Sequence, residues 1–561
     1  MRLQDAIKKQ RHILPTLVSG AVLTALTLLF PQYLGVLEWL TMIPIFIGVY
    51  CLSERREITP RRAYFYGFAT VYAYYFLLWH WIVRMYPMEF LGISPIVSIA
   101  IIAAAWFGLP LLQAFFGGWM FWIWQRLARR GVFERSPLLR PFVFAALWVI
   151  FEWSSTLGWI GVPWGRLALG QIKLLPMLQS ASLFGSYFIS LLLLLVNGLL
   201  AYAILYPNRA ILCRTLALSL AAANLLFGGI RLLLPVRTEG NTVRVAVIQG
   251  NIDSNQKWSD DGWYNFRGVY RDLTEEAAAA GAELVIWPET TFPYELNTDH
   301  ASMRFLSSVA RESRVRMIVG AMYEDELGEL QNVLYYVEPD GRIREEVYSK
   351  RHLVPFGEYV PMRELFEMLY PPLTELAIFE DMKPGEEVAL FESPYGRIGS
   401  LICFDSIYEQ LTLDSVREGA ELLVLASNDS WFYDSVGVYM HQGQAQLRSI
   451  ESGREMARAA VTGISSVISY RGELRAWIDP LERGWAMAEI TPRQHATLYT
   501  VVGNLIVWLS IAFVGGVWGA AAIGTHRKPG PVRLRARYGA LAAERCTEGS
   551  RLWNRAFKKK R

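Results

Sequence analysis

The sequence predicts two structural classes in one chain: a multi-pass α-helical membrane domain of about eight transmembrane helices, and an extracytoplasmic α/β domain. Three observations carry this. Long uncharged apolar blocks recur up to residue 234 and again near residue 500. Arginine and lysine crowd alternate gaps between those blocks. Residues 242–493 change to strand-like runs alternating with helical patterns.

The apolar blocks come first. The chain is 53% hydrophobic over 561 residues, with a mean hydropathy of +0.23, too apolar for an ordinary soluble protein. Residues 13–30, 63–83, 91–124, 174–208 and 494–525 carry no charge, and about 20 apolar residues suffice to cross a bilayer. Weaker candidates are 33–52, containing Glu38, then 141–158 and 211–234. This places seven spans before residue 235 and one near residue 500. The first block is followed at once by another with no small-residue cleavage site between them, so it is not a removable signal.

Charge orients the spans. Lys8, Lys9 and Arg11 precede the first; Arg55, Arg56, Arg61 and Arg62 lie between the second and third; Arg126, Arg129, Arg130, Arg135 and Arg140 fill the next even-numbered gap. The positive-inside rule then puts the N-terminus in the cytoplasm and residues 236–493 on the other side. The expected organisation is a membrane domain over 1–235, a catalytic domain over 236–493, an eighth span within 494–525 and a basic cytoplasmic tail over 526–561. Twelve Lys or Arg stand among those last 36 residues, fitting a tail beside anionic lipid rather than a nucleic-acid partner. Cys51 and Cys213 lie in or beside spans and Cys546 in the tail. Cys403 therefore has no disulfide partner in its compartment, where a lone thiol is a liability unless buried or used.

The soluble block reads as α/β. Strand-like runs are "TVRVAVIQGN", "AELVIWPET", "VRMIVGAMY", "NVLYYVEPDGRI", "RIGSLICFD", "AELLVLASND" and "MARAAVTGISSVISY". Helical patterns such as "YRDLTEEAAAAG" separate several of them, and this alternation predicts packed α/β layers. No CxxC, HExxH or glycine-rich phosphate loop occurs, so no metal or nucleotide cofactor is expected. Polar residues gather at strand ends: Glu289, Lys350 after a further strand, Cys403 with Asp405, and Asn428 with Asp429. Ligand sites of α/β sheets form there. Each residue alone has a structural explanation, as a cap, a solvated lysine or a small buried hydrophobe; together they indicate chemistry.

"WPET", "KRHLVPFGEYVP" and "ICFDSIYE", in that order, resemble the Glu–Lys–Cys set of the nitrilase superfamily. With seven spans before and one after, the chain is similar to the apolipoprotein N-acyltransferase family. The likeness includes "QGNIDSNQKW" (Gln249 to Trp258), "SNDSWF" (Ser427 to Phe432), His441 and "GVPWGRLALGQ" (Gly161 to Gln171), expected at the membrane face. Two departures stand out: Asp405, where the family usually has Glu, and "VTGI" (Val461 to Ile464), where it commonly has "TNNG".

The resemblance implies a nitrilase-like αββα sandwich outside an inner membrane, with both termini cytoplasmic. It implies Cys403 as nucleophile, Glu289 as general base and Lys350 as oxyanion donor. Glu358 would orient Lys350 or share protons with Glu289. Phe404 and Asp405 would shape the pocket, Trp258 would line the access path, and Asn428, Trp431 and His441 would line the pocket. Residues 361–383 and "WFYDSVGVYMHQ" read as lids dipping toward lipid. The implied reaction moves an acyl chain from a phospholipid, phosphatidylethanolamine, through a cysteine thioester to the α-amino group of a diacylglyceryl-cysteine on an apolipoprotein. Other readings stay open: a membrane-tethered amidase of the nitrilase type, a non-catalytic scaffold or transporter, and papain-like chemistry with His352 or His441.

Overall fold

A computed structural model describes residues 13–88, 94–159, 161–235, 242–252, 257, 262–369 and 381–524. Trp258, part of the 361–383 lid and the basic tail lie outside these residues. The chain divides into two compact units: Met1–His80, Ala105–Leu233 and Asn504–Arg561 form one, Trp81–Ala104 and Leu234–Gly503 the other.

The first unit is helical. Its main helices are α1 (Ile13–Leu29), α2 (Ile43–Ser53), α3 (Pro60–Leu78), α4 (Pro95–Arg129, beginning in the second unit), α5 (Leu139–Ser154), α6 (Ser186–Leu205) and α7 (Ala210–Leu233), followed by Leu505–Gly524 near the C-terminus. Among the described residues, five segments are long and apolar enough to cross a membrane: Pro31–Ser53, Pro95–Arg129, Ser186–Leu205, Pro207–Leu233 and Leu505–Ile523. α1 is apolar but shorter; α3 carries Arg61 and Arg62, and α5 has 16 residues. The sequence fixes local details. Thr59 caps α3 by accepting from Arg62 N–H, with Pro60 in the first turn. Small residues bring helices close, as at Gly67, where an added Cβ would lie 2.4 Å from Phe121 of α4.

"GVPWGRLALGQ" is mostly buried within this unit. Gln171 donates to Glu38 at 2.6 Å and accepts from Trp39 Nε1 at 2.9 Å. Arg166 donates to the Ser186 and Tyr187 hydroxyls at 2.7 and 2.9 Å. The stretch therefore satisfies polar groups that the apolar bundle would otherwise leave unpaired.

The second unit has thirteen strands among its described residues. They are β1 (Val243–Gln249), β2 (Leu284–Ile286), β3 (Phe292–Glu295), β4 (Arg316–Glu324), β5 (Leu330–Val337), β6 (Ile343–Ser349), β7 (Leu390–Phe391), β8 (Ile398–Ile402), β9 (Leu422–Ser427), β10 (Met456–Ala460), β11 (Ser465–Ile468), β12 (Leu474–Ile478) and β13 (Gly484–Ile490). One sheet runs β13-β1-β2-β4-β5-β6 with β3 on β4; the other runs β12-β11-β10-β9-β8-β7. The central pairs β1–β2, β2–β4, β8–β9 and β9–β10 are parallel, as is β3–β4, and the other pairs are antiparallel.

The sheets share an inner core of Val245, Val247, Ile286, Ile318, Ile402, Val424 and Ala457, among others. α8 (Gly262–Ala279) and α9 (His300–Ser313) cover one outer face through Tyr270, Leu273, Leu306 and Val309. α10 (Glu409–Arg417) and α11 (Val436–Ser452) cover the other through Val416 and Ala445. The result is the four-layer α/β/β/α sandwich. Parallel strands buried on both faces read as near-continuous apolar runs, which is why "ELLVLAS" and "IGSLI" stand out in the sequence.

Candidate active site

The expected residues follow the carboxyl ends of strands from both sheets. Glu289 follows β2, Lys350 follows β6 directly, Cys403 follows β8, and Asn428 follows β9. Lys350 Nζ donates to Glu289 Oε1 at 3.0 Å and to Glu358 Oε1 at 2.7 Å. Lys350 is 1% exposed and Glu289 4%, so the trio sits where charges interact strongly. Burial pushes the Lys350 ammonium down, but Glu289 and Glu358 outweigh it and hold the group well above its ordinary value.

Glu289 is fixed on every side. Its Oε1 also accepts from Asn332 Nδ2 at 2.8 Å, and its Oε2 accepts from the backbone N–H of Asn428 at 2.6 Å. Asn428 thus acts through its main chain, while its side chain accepts from Ser430 Oγ at 2.7 Å. Glu358 is tied by Asn332 Nδ2 at 3.1 Å and by Val354 N–H at 2.8 Å. Asn332 was not singled out by sequence; its only signal was a polar residue opening the apolar run of β5.

Cys403 opens a short 3₁₀ turn, Cys403–Ile407, in the left-handed region at φ 47°. That conformation is costly for a side-chain-bearing residue and concentrates at functional sites. It breaks the strand sharply and leaves the residue half-buried. Desolvation, reinforced by the Glu289 charge, pushes the thiol well above its usual value, against the pull of Lys350. The resting thiol is therefore protonated.

Asp405 ties the turn to the segment carrying Lys350. Its Oδ2 accepts from Ile402 N–H at 3.0 Å and from Tyr348 OH at 2.9 Å; its Oδ1 accepts from His352 N–H at 2.8 Å. All three partners are donors, so an ionised carboxylate suits the position. Phe404 packs on Tyr408 with ring centroids 5.5 Å apart. His352 stacks on Tyr408 at 3.7 Å and is pushed down to about 4 by burial and by Lys350.

Burial raises Asp405 to about 6, against Lys350 and its three donors. The unfolded carboxyl titrates near about 4, so folding favours the protonated form. That contribution is full below about pH 4 and lost as pH rises through about 6. Acidification through pH 6 thus does not unfold the protein at this group; it removes an acceptor from the turn. Activity should fall through about pH 6 while circular dichroism still reports folded protein, and Asp405→Ala should lose on the order of 100-fold at neutral pH. A flat rate between about pH 5 and 8 would remove Asp405 from the working site.

Behind Cys403 lies a second network. His441 Nδ1 is 2.9 Å from Asp429 Oδ1, and its Nε2 is 3.2 Å from the Cys403 carbonyl oxygen and 3.0 Å from Ser406 Oγ. Arg458 Nη2 donates to Asp429 Oδ2 at 2.6 Å, and Arg458 also donates to the Ile464 carbonyl. Asp429 is held well below the usual carboxylate range: Arg458 and His441 overcome its burial. Cys403, Asp429 and His441 place potential donor atoms within 4.8 Å of one another. With Arg458 already neutralising Asp429, this set fits a hydrogen-bonded network better than a cation site. The "VTGI" departure belongs here, since a Cβ on Gly463 would lie 2.1 Å from Asp429 Oδ2. Trp431 is half-buried in the turn Ser430–Phe432, but the ring against His441 is Phe432, at 5.9 Å.

One buried cation falls outside the expected set. Lys257 Nζ donates to Thr290 Oγ1 at 2.6 Å and to the Glu289 carbonyl at 3.2 Å. It stands in "QGNIDSNQKW", where it is the only cation.

Residues 244–498 match the carbon-nitrogen hydrolase family, and residues 20–199 match the apolipoprotein N-acyltransferase N-terminal domain. The apolipoprotein N-acyltransferase of Geobacter metallireducens is 30% identical over 93% of this chain and 97% of that one. That of Gloeobacter violaceus is 32% identical over the same shares. Among solved structures, Saccharomyces cerevisiae Nit3, a member of branch 10 of the nitrilase superfamily, aligns with a TM-score of 0.37 and 18% identity over 48% of this chain and 96% of that one. Since these relatives run nearly end to end with it, through the apolar helices and the strand-end site alike, the chain belongs to the apolipoprotein N-acyltransferase family.

Proposed function

We propose that the chain transfers an acyl group from a membrane phospholipid, phosphatidylethanolamine by the family resemblance, to the α-amino group of an S-diacylglyceryl-cysteine at a lipoprotein N-terminus. The observation that carries the reading is the Glu289–Lys350–Glu358 trio beside a strand-end cysteine held in a left-handed turn. The transfer runs in two halves. Glu289 takes the Cys403 thiol proton as sulfur attacks the ester carbonyl. Lys350, with a backbone N–H beside Cys403, stabilises the oxyanion. The C–O bond breaks, the lysophospholipid oxygen leaves with the proton from Glu289, and a thioester remains. The acceptor amine then attacks the thioester and passes its proton to Glu289. The C–S bond breaks and the thiol is restored. Glu289 is favoured as base over a histidine because His441 Nε2 faces the Cys403 carbonyl rather than serving Glu289's place.

Both substrates are lipids, which accounts for a hydrolase-like domain carried on apolar helices. Eight spans, cytoplasmic termini and an inner-membrane location with residues 236–493 periplasmic complete the reading, with the membrane domain over 1–235, the last span within 494–525 and the tail over 526–561. Reporter fusions at about residue 300 and at the C-terminus are expected to give opposite signals, and the same signal from both would overturn this topology. The decisive assay incubates purified protein with labelled phospholipid, with and without a lipopeptide acceptor. Acyl-lipopeptide is the expected product. Free fatty acid released to water, with no transfer to the acceptor, would replace this reading by the tethered amidase.

A further inference from the structure

Lys257 is 5% exposed, and the turn it grips is strained. Thr290 sits in the left-handed region at φ 45°. The other side of that turn is closed by the backbone of β4: a Cβ on Gly320 would lie 2.3 Å from the Pro288 carbonyl oxygen and 2.7 Å from Glu289 Cα. The Glu289–Thr290 turn is thus held between β4 and one ammonium.

We propose that Lys257 is a positioning residue of acyl transfer, fixing the turn that aims the Glu289 carboxylate. The proposal rests on the Glu289–Lys350–Cys403 reading above and deepens it. Because a displaced Glu289 no longer takes the thiol proton, removing the grip should slow reaction at Cys403.

The test follows alkylation of Cys403 by iodoacetamide in the full-length protein in detergent, read as a rate at fixed pH by mass spectrometry of the Cys403 peptide. Wild type is compared with Lys257→Met, Lys257→Gln and Lys257→Arg. The rate should fall roughly tenfold in the Met and Gln variants and return toward wild type in the Arg variant. Acylation by labelled phospholipid should slow on the order of 100-fold in Met and Gln. If Lys257→Met fails to fold, the Gln and Arg variants read the same difference. Unchanged rates in both neutral variants, or an Arg variant no closer to wild type than Gln, would overturn the proposal. Alkylation needs no acyl donor, so a wild-type protein that forms no lipid adduct would strike the thioester route, while the alkylation rate still decides Lys257.

Discussion

Cys403→Ala is expected to abolish both the acyl adduct and the transfer. Phospholipid alone should acylate the wild-type protein, releasing one lysophospholipid per active site with no acceptor present. Hydroxylamine at neutral pH should strip the adduct, as it does a thioester. Cys403→Ser should fail nearly as badly. A hydroxyl needs a stronger base than a carboxylate to become a nucleophile, and Glu289 already accepts hydrogen bonds from Lys350, Asn332 and the Asn428 N–H. The elevated thiol supports the same expectation: burial and the Glu289 charge keep Cys403 protonated at rest, so proton removal and attack are coupled. An acylated Cys403→Ala protein, or transfer persisting in it, would refute the covalent route.

The strand-end residues were legible because chemistry there interrupts strong patterns. "VIWPET", "SLICFD" and "VLASND" each end an apolar run on polar residues, and parallel strands buried on both faces make such runs conspicuous. The strands that escaped the sequence are of another kind. β12 alternates exposed and half-buried residues and lies at a sheet edge. β7 has two residues, and β3 has four and pairs with β4 off the main strand path. β13 is recognisable only through its antiparallel pairing with β1. Their signal comes from a partner, not from their own composition.

The same distinction separates the site residues. Glu289, Lys350 and Cys403 sit in distinctive local motifs, whereas Asn332, Tyr348 and Arg458 act through contacts dozens of residues away in sequence: Asn332 reaches Glu289 across 43 positions and Tyr348 reaches Asp405 across 57. No spacing rule announces such pairs. Asp405 shows the limit most clearly. It was expected to shape the pocket, but the structure gives it donors from the cysteine turn and from the segment after Lys350, so it joins two walls of the site. The length of that side chain is set by both walls at once, which no local motif reveals.

Lys350→Met should combine a catalytic loss with a structural one, and a second substitution separates them. The variant removes the proposed oxyanion donor, at an expected cost of about 100-fold or more in thioester formation. It also leaves Glu289 and Glu358 facing each other around an empty position, with Asn332 as their shared neutral donor. Breaking a buried pair by removing one partner costs about 3–5 kcal/mol, so Lys350→Met should unfold at visibly lower temperature or denaturant concentration. Adding Glu358→Gln removes one of the two opposed carboxylates. The double variant should therefore recover much of the stability while acylation stays as slow as in Lys350→Met. Denaturant midpoints and single-turnover acylation, measured on the three proteins side by side, check this. If acylation returned together with stability, Lys350 would be a scaffold for the two carboxylates and the oxyanion would have to be held by backbone N–H groups alone.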